Sequence, residues 1–158
     1  MAEDNEGQSD GEEIACGSNP LDNNSLSPDF DQDGIPDCVD EDNDNDGVLD
    51  TSDAFPLDPS EWTDTDLDGI GNNADQDDDN DGFTDLDELA CNSNPLDVNS
   101  VPGDLDEDGI PDCLDNDIDG DGCINTEDVF PRDVSECSDT DGDGLGDNSD
   151  IDSDNDGV

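Results

Sequence analysis

A twelve-residue pattern of acids around a glycine, D-x-D-x-D-G-x-x-D-x-x-D, recurs along the chain and constrains its fold more than any other feature. We call each copy an Asp frame and number its residues by position, 1 to 12. Seven frames are complete, with Asn or Glu replacing Asp at a few positions, and they begin at Asp29, Asp42, Asp64, Asp77, Asp104, Asp117 and Asp139. Two more are truncated at the ends of the chain. A single D-x-D-x-D-G arises by chance in acidic sequences, but seven frames in strict register do not.

The frames belong to a longer internal repeat. The segment "ACGSNPLDNNSLSPDFDQDGIPDC" from Ala15 aligns without a gap with "ACNSNPLDVNSVPGDLDEDGIPDC" from Ala90, an offset of 75 residues. Such self-similarity is typical of repeat proteins. We expect two copies, residues 1–78 and 79–158, and because both ends cut through a frame we expect a segment of a longer array.

The charge of the chain limits its partners. It has 53 acids, one basic residue, no His and a formal net charge of -52. Nucleic acids and anionic membranes are bound through Lys and Arg, so neither is an expected partner, whereas cations are. Low hydrophobicity with high charge is otherwise the signature of disorder, so a solvated acidic tail is the competing interpretation.

The sequence predicts little regular secondary structure, because Asp, Asn, Gly and Pro favour turns over helix and strand interiors. One exception is "TDLDELAC", residues 84–91, which predicts one or two helical turns with Thr84 or Asp85 as the N-cap. The predicted fold is a series of tandem EF-hand-like Asp loops with little regular secondary structure and very short helices at most.

The spacing of the acids suits calcium. Calcium takes six to eight oxygen ligands, and carboxylates at positions 1, 3 and 5 converge on one ion if the chain turns sharply at a position 6 glycine. The carbonyl of position 7, then position 9 directly or through water, then position 12 complete the set. An all-oxygen site without His favours calcium over zinc, copper and magnesium.

The predicted ligands follow from these positions. In the complete frames they are Asp29, Asp31, Asp33, Ile35, Asp37, Asp40, Asp42, Asp44, Asp46, Val48, Asp50, Asp53, Asp64, Asp66, Asp68, Ile70, Asn72, Asp75, Asp77, Asp79, Asp81, Phe83, Asp85, Glu88, Asp104, Asp106, Asp108, Ile110, Asp112, Asp115, Asp117, Asp119, Asp121, Cys123, Asn125, Asp128, Asp139, Asp141, Asp143, Leu145, Asp147 and Asp150. The truncated frames add Asp4, Glu6, Asp10, Glu13, Asp152, Asp154 and Asp156. Position 7 is apolar or Cys in every complete frame, so we expect its side chain to enter what small core exists.

The cysteines predict disulfides. Val48 and Trp62 of the first copy are replaced by Cys123 and Cys137 in the second, so we expect a side-chain contact in one copy and a disulfide in the other. Six cysteines allow 15 connectivities. The repeat favours pairs within each copy, Cys16 with Cys38 and Cys91 with Cys113; free thiols or metal ligands are the alternative. Disulfides persist in oxidising compartments, which predicts an extracellular, cell-surface or periplasmic location.

The segments "AFPLDPSEW" and "VFPRDVSEC" join pairs of frames. Phe55 and Phe130 precede a turn-fixing Pro, and we interpret them as structural anchors rather than as ligand sites. Arg132 is expected to be a surface residue that pairs with nearby acids.

These residues resemble the thrombospondin type 3 repeat family in its bacterial surface-protein form, through "DQDGIPDCVDEDNDNDGVLD", "DAFPLDPSEWTDTDLDGIGNNADQDDDNDG" and "DEDGIPDCLDNDIDGDG". The resemblance implies a fold around a row of calcium ions, about one per frame, disulfides between sequential cysteines, and a secreted or cell-surface parent protein with other domains. Asn72 and Asn125 at position 9 depart from the pattern.

Two functions are compatible with these features. The first is a calcium-stiffened spacer or stalk between domains of a surface protein. The second is a calcium-dependent adhesion or self-association module, which should expose an apolar patch. An enzyme is not expected, because the chain has no His or Lys and its acid clusters are all required for metal.

Overall fold

The computed structural model describes residues 7–157 and contains within that range two short helices and no strand. Helix α1 spans Asp10–Cys16 and helix α2 spans Asp85–Cys91. The rest of the described chain consists of turns and bends, which confirms the predicted fold class. The chain divides into two compact units, residues 1–75 and 76–158; the division into repeat copies at residues 1–78 and 79–158 stays a prediction.

Helix α2 is the predicted one. Thr84 is its N-cap, and its hydroxyl accepts a hydrogen bond from the backbone N–H of Asp87 at 3.3 Å. The helix ends at Asn92, whose backbone is left-handed (φ 61°). A left-handed residue after the last turn is a common way for a helix to end.

Helix α1 was not predicted, although it is the counterpart of α2 one repeat earlier. Ser9 and Glu12 form a capping box: the Ser9 hydroxyl accepts from the Glu12 N–H, and the Glu12 carboxylate accepts from the Ser9 N–H. Gly17 ends the helix in the left-handed region. The 75-residue offset was the available signal, but Gly11 stands where α2 has Leu86 and weakens the local helical pattern.

The described residues contain no buried hydrophobic side chain. The expectation that position 7 side chains enter a small core is therefore wrong: Ile35, Ile70, Ile110 and Leu145 are between 40% and 54% exposed. Val48, Phe83 and Cys123 at the same position are half-buried. The physical reason is that acidic side chains, such as those of Asp44, Glu88 and Asp119, occupy the buried positions.

Three disulfides stabilise the fold where a hydrophobic core would otherwise do so. They join Cys16 to Cys38, Cys91 to Cys113, and Cys123 to Cys137, with Cα–Cα distances of 5.5, 5.7 and 6.1 Å. These are the pairs that the repeat favours, and none of the six cysteines is free. Each bond closes a short loop and so removes conformational entropy from the unfolded chain.

Four similar double turns separate the frame pairs, at residues 19–25, 55–61, 94–100 and 130–136. In the second, Asp58 N–H donates to the Phe55 carbonyl at 2.8 Å and Glu61 N–H to the Asp58 carbonyl at 2.9 Å. Phe55 and Phe130 are half-buried. As expected, Arg132 is exposed (64%) and forms an ion pair with Asp112 at 2.9 Å.

Candidate metal centres

Each Asp frame folds because its own carboxylates hold its backbone. In all seven complete frames the position 1 carboxylate accepts from the glycine N–H of position 6 at 3.0–3.2 Å. The position 3 carboxylate accepts from the N–H of position 5 at 3.0–3.3 Å. The position 5 carboxylate accepts from the N–H of position 7 at 2.7–2.9 Å. At least one carboxylate oxygen of each of these acids therefore accepts a hydrogen bond from the backbone of its own loop.

Two left-handed residues give the loop its sharp turn. The position 6 glycines have φ between 83° and 115°, a region that side chains rarely adopt. Position 4 is also left-handed in every frame in which the structure describes it, at Gln32, Asn45, Leu67, Asn80, Glu107, Gly120, Gly142 and Asn155. Sequence reasoning missed this second turn, because position 4 carries no constant residue type.

Position 9 closes the loop. In all seven complete frames its side-chain oxygen accepts from the backbone N–H of position 2 at 2.7–3.1 Å. The amide nitrogens of Asn72 and Asn125 also donate, to Thr65 Oγ1 at 2.7 Å and to the Asp115 carbonyl at 2.9 Å. These bonds give position 9 a structural task; its role as a ligand stays a prediction.

The remaining carboxylate oxygens converge. Positions 1, 3 and 5 of the frames that begin at Asp29, Asp42, Asp64 and Asp77 each bring three ligand oxygens within 4.8 Å of one another. Within the described part of the chain, many of these second oxygens are buried and have no hydrogen-bond partner: Asp29 Oδ1, Asp31 Oδ2, Asp42 Oδ1, Asp44 Oδ2, Asp46 Oδ2, Asp64 Oδ1, Asp66 Oδ2, Asp79 Oδ2, Asp81 Oδ2, Asp104 Oδ1, Asp117 Oδ1 and Asp119 Oδ2.

Position 12 adds a further acid from the far end of each frame. Glu88 is fully buried, and neither of its carboxylate oxygens has a hydrogen-bond partner. Asp53 and Asp128 each accept from the backbone N–H two residues ahead at 2.7 Å, while their other oxygen is buried without a partner. Asp40, Asp115 and Asp150 accept in the same way from the first residue of the next frame.

The electrostatics separate the acids of the candidate sites from those of the connecting turns. Burial raises the pKa of the position 3 carboxyls Asp44, Asp79, Asp106, Asp119 and Asp141, and repulsion from neighbouring acids adds to the effect. Burial likewise raises the pKa of Glu88. The opposite holds in the turns, where hydrogen bonds from a nearby side chain and backbone lower the pKa of Asp58, Asp97 and Asp133.

These observations fit a hard divalent cation. A buried charged oxygen without a partner is costly, and the frames hold several together at the spacing of ligands. Calcium prefers such carboxylate oxygens. Asp121 also lies near the sulfurs of Cys123 and Cys137, but both sulfurs belong to a disulfide, so they offer no thiolate to a soft metal.

The truncated frames are described in part. Asp4 and Glu6 lie outside the described residues. Asp10 is the first residue of α1, and Glu13 is fully buried at the place that Glu88 takes one repeat later. At the other end, the Asp152 carboxylate accepts from the Gly157 N–H at 3.2 Å and that of Asp154 from the Asp156 N–H at 3.3 Å.

Sequence reasoning missed three buried acids. Asp78, at position 2 of the Asp77 frame, is 8% exposed. Glu61 and Glu136 are only 6% and 4% exposed, although they lie outside every frame, in the connecting turns. The available signal was their identity at the same place in both copies, within "PSEW" and "VSEC".

Comparison with known families agrees with this geometry. The family model of the bacterial TSP3 repeat matches residues 7–23 and 77–98, which contain helices α1 and α2. Comparison with curated proteins gives no match to the chain. At these two segments the chain is similar to the bacterial TSP3 repeat, which confirms the family resemblance that the sequence predicts.

Proposed function

We propose that this chain binds calcium ions, about one in each of its seven complete frames. The observation that carries the proposal is made in six of the seven complete frames, all except the Asp139 frame. In each of the six, at least one acid has one oxygen that accepts a backbone hydrogen bond of the loop and a second oxygen that is buried without a partner. Bound calcium supplies the positive charge that these oxygens lack. The match to the bacterial TSP3 repeat supports calcium over other divalent ions.

Titration of the metal-free protein with calcium, followed by calorimetry and by native mass spectrometry, tests the proposal. We expect roughly one ion per complete frame and much weaker binding of magnesium, because magnesium demands stricter geometry and sheds water reluctantly. The Asn variants of the position 1, 3 and 5 acids in one frame serve as the control and should lower the ion count by one. Binding of fewer than two ions by the natural chain would refute the proposal.

We further propose that calcium converts the chain into a stiff spacer between other domains of a surface protein. The supporting observation is that the stabilising bonds are local: the loops are held within their own frames, and the disulfides join residues only 22, 22 and 14 positions apart. Stability built from neighbouring segments is typical of repeat proteins. The disulfides and the TSP3 match indicate a location outside the cytoplasm, and we propose the cell surface or the extracellular medium.

Small-angle scattering of the calcium-loaded and chelated protein tests the stiffening. We expect chelation to enlarge the radius of gyration, because it leaves 53 acids unneutralised. An unchanged radius would refute it. Within residues 7–157, no helix is long and apolar enough to cross a membrane.

The second candidate is the adhesion or self-association module. The observation in its favour is the exposure of large apolar side chains, among them Leu67 (82%) and Leu86 (78%). Analytical ultracentrifugation with and without calcium separates the two: a spacer stays monomeric, whereas a self-associating module forms oligomers that chelation dissolves. The expectation that the chain is not an enzyme stays a prediction.

A further inference from the structure

The four frames that open a 13-residue pair share one turn, from position 8 to position 12. These frames begin at Asp29, Asp64, Asp104 and Asp139. In each, the N–H of position 12 donates to the carbonyl of position 8 at 2.9–3.0 Å, and the position 8 residue is buried. The turn matters for metal binding because it connects the loop to its last candidate ligand at position 12.

The four turns are secured in two different ways. In the frames of Asp29 and Asp104, position 10 is a cysteine bonded to the last residue of α1 or α2, and position 8 is Pro36 or Pro111. In the other two frames, position 10 is Asn73 or Asn148, and position 8 is a glycine. These two turns therefore need another attachment to the preceding segment.

Glu61 supplies that attachment in the first unit. Its carboxylate Oε2 accepts from the backbone N–H of Asn73 at 3.0 Å. The Asn73 side-chain amide donates in return to the carbonyl of Ser60 at 2.6 Å. The bond to a carboxylate is charge-assisted and is therefore among the stronger hydrogen bonds. It is also shielded, since Glu61 is 6% exposed.

The second unit repeats the arrangement with the same distances. Glu136 Oε2 accepts from the Asn148 N–H at 3.0 Å, and the Asn148 amide donates to the Ser135 carbonyl at 2.6 Å. Glu136 is 4% exposed, and its other oxygen is buried without a hydrogen bond. The recurrence in both units argues for a built feature.

The glycine at position 8 makes room for the carboxylate. A Cβ added to Gly71 would overlap the carboxylate and Cγ of Glu61, and one added to Gly146 would overlap those of Glu136. Neither glycine has a left-handed backbone, so glycine is required here for space and not for conformation. Glutamate, glycine and asparagine thus form an interdependent set, which we call the Glu-Gly-Asn clamp.

We propose that Glu61 and Glu136 are positioning residues for the metal-binding loops of the Asp64 and Asp139 frames, and that the Glu-Gly-Asn clamp does there by hydrogen bonds what a disulfide does in the Asp29 and Asp104 frames. The proposal rests on the proposed calcium binding. The clamp fixes the turn that carries positions 8 to 12, and so pre-arranges the loop before the ion arrives.

Terbium, which emits when a nearby indole is excited, reports on the two frames beside Trp62, which is the only Trp. Trp62 lies two residues before Asp64, and its carbonyl accepts from the Ala54 N–H next to the end of the Asp42 frame. Changing Asp42, Asp44 and Asp46 to Asn in every protein compared removes the contribution of the Asp42 frame. The full chain is titrated with terbium, and the Trp62-sensitised emission is recorded. We expect Glu61→Ala to weaken this binding about tenfold, in line with the loss of a buried charge-assisted hydrogen bond. Glu61→Gln keeps the acceptor oxygen and should remain within about threefold of the natural chain. Glu127→Ala, which removes an exposed acid at a position 11, is the control and should change nothing.

A second pair of variants tests the role of the glycine. Gly71→Ala should weaken terbium binding at least as much as Glu61→Ala, because its Cβ displaces the carboxylate. In the Glu61→Ala background the same Gly71→Ala change should add little, since the overlapping atoms are gone. Hydrogen exchange of the Asn73 amide in the calcium-loaded protein gives an independent measurement and should accelerate with Glu61→Ala but not with Glu61→Gln.

The outcomes separate the clamp from the proposed function. If the natural chain gives no sensitised emission, calcium binding at this frame fails, and the inference falls with it. If the natural chain binds and Glu61→Ala binds equally well, the clamp alone is refuted. If Glu61→Gln is as damaging as Glu61→Ala, the negative charge is required and Glu61 acts as a ligand rather than as a clamp, which also overturns the proposal.

Discussion

A disulfide introduced by Val48→Cys with Trp62→Cys should stabilise the first unit. The second unit provides the template, since Cys123 and Cys137 are the residues one repeat later and are bonded with a Cα–Cα distance of 6.1 Å. The backbone pairing beside the bond is the same in both units. Ala54 N–H donates to the Trp62 carbonyl at 3.3 Å, and Val129 N–H donates to the Cys137 carbonyl at 3.1 Å.

The size of the effect follows from the loop length and from what is lost. A sequence separation of 14 residues corresponds to about 3 kcal/mol of reduced unfolded-state entropy. Removing Trp62, which is 43% exposed, and half-buried Val48 costs about 2 kcal/mol of apolar contact after allowing for the contact that the cysteines regain. We therefore expect a net gain of about 1 kcal/mol in the free energy of unfolding over the natural chain.

Urea unfolding of the calcium-loaded protein measures the gain, with the variant Val48→Ser and Trp62→Ser as the control that loses both side chains without forming a bond. Peptide mapping without reductant first verifies that the new cysteines are joined to each other. A mapped bond that left the unfolding midpoint no higher than that of the serine variant would refute the reasoning. It would mean that the two units differ in structure at this point.

Three further predictions concern single frames. Leu67 has a left-handed backbone and is 82% exposed, so Leu67→Gly should stabilise its loop by about 0.5 to 1 kcal/mol. Gly69→Ala should destabilise the same loop. Thermal unfolding of both variants in calcium measures the difference in stability. Burial raises the pKa of Asp44, so this carboxyl binds its proton more tightly in the folded metal-free protein than in the unfolded chain, and its own contribution to stability should be lost as the pH rises above about 4 and through that raised pKa. The calcium-loaded protein should show the opposite trend, because acid protonates the ligands, and urea midpoints over this range contradict us if both forms change in the same direction. Emptying one frame with Asp66→Ala and Asp68→Ala should raise hydrogen exchange around that loop while the second unit keeps its ions; release of all calcium in one step would count against local stability.

The frames and the disulfide pairs could be predicted from the sequence because each depends on residue type at fixed spacing. An Asp carboxylate can accept a hydrogen bond from the backbone N–H two residues later without any distant contact. The local sequence is therefore sufficient to predict the loop. The cysteine pairs followed from the repeat, since each bond stays within its own copy. Helix α2 was predicted for the same reason: its cap and its acids are all within reach of one another.

The errors and omissions concern features that depend on what surrounds a residue. Position 7 was expected to be inward because it is apolar, but the carboxylates fill the interior and leave residues such as Ile35 and Ile70 at the surface. The hydrogen bond of the Glu61 clamp joins residues that are 12 positions apart in the sequence. Gly71 is required because a Cβ there would overlap the Glu61 side chain, and no local sequence pattern indicates this. Position 9 carries Asp or Asn, which the sequence analysis interprets as a calcium ligand. Its hydrogen bond to the backbone N–H of position 2, which closes the loop, was therefore not predicted.

The absence of buried hydrophobic side chains among residues 7–157 bears on how the protein responds to temperature. Exposure of apolar surface is the main source of the heat capacity change of unfolding, and it is what bends the stability curve of ordinary domains. A chain that buries acids instead should have a small heat capacity change and a nearly straight curve, without pronounced weakening in the cold. Its folded fraction would then be set chiefly by the free calcium concentration, through the logarithm of the ratio of that concentration to Kd at each site.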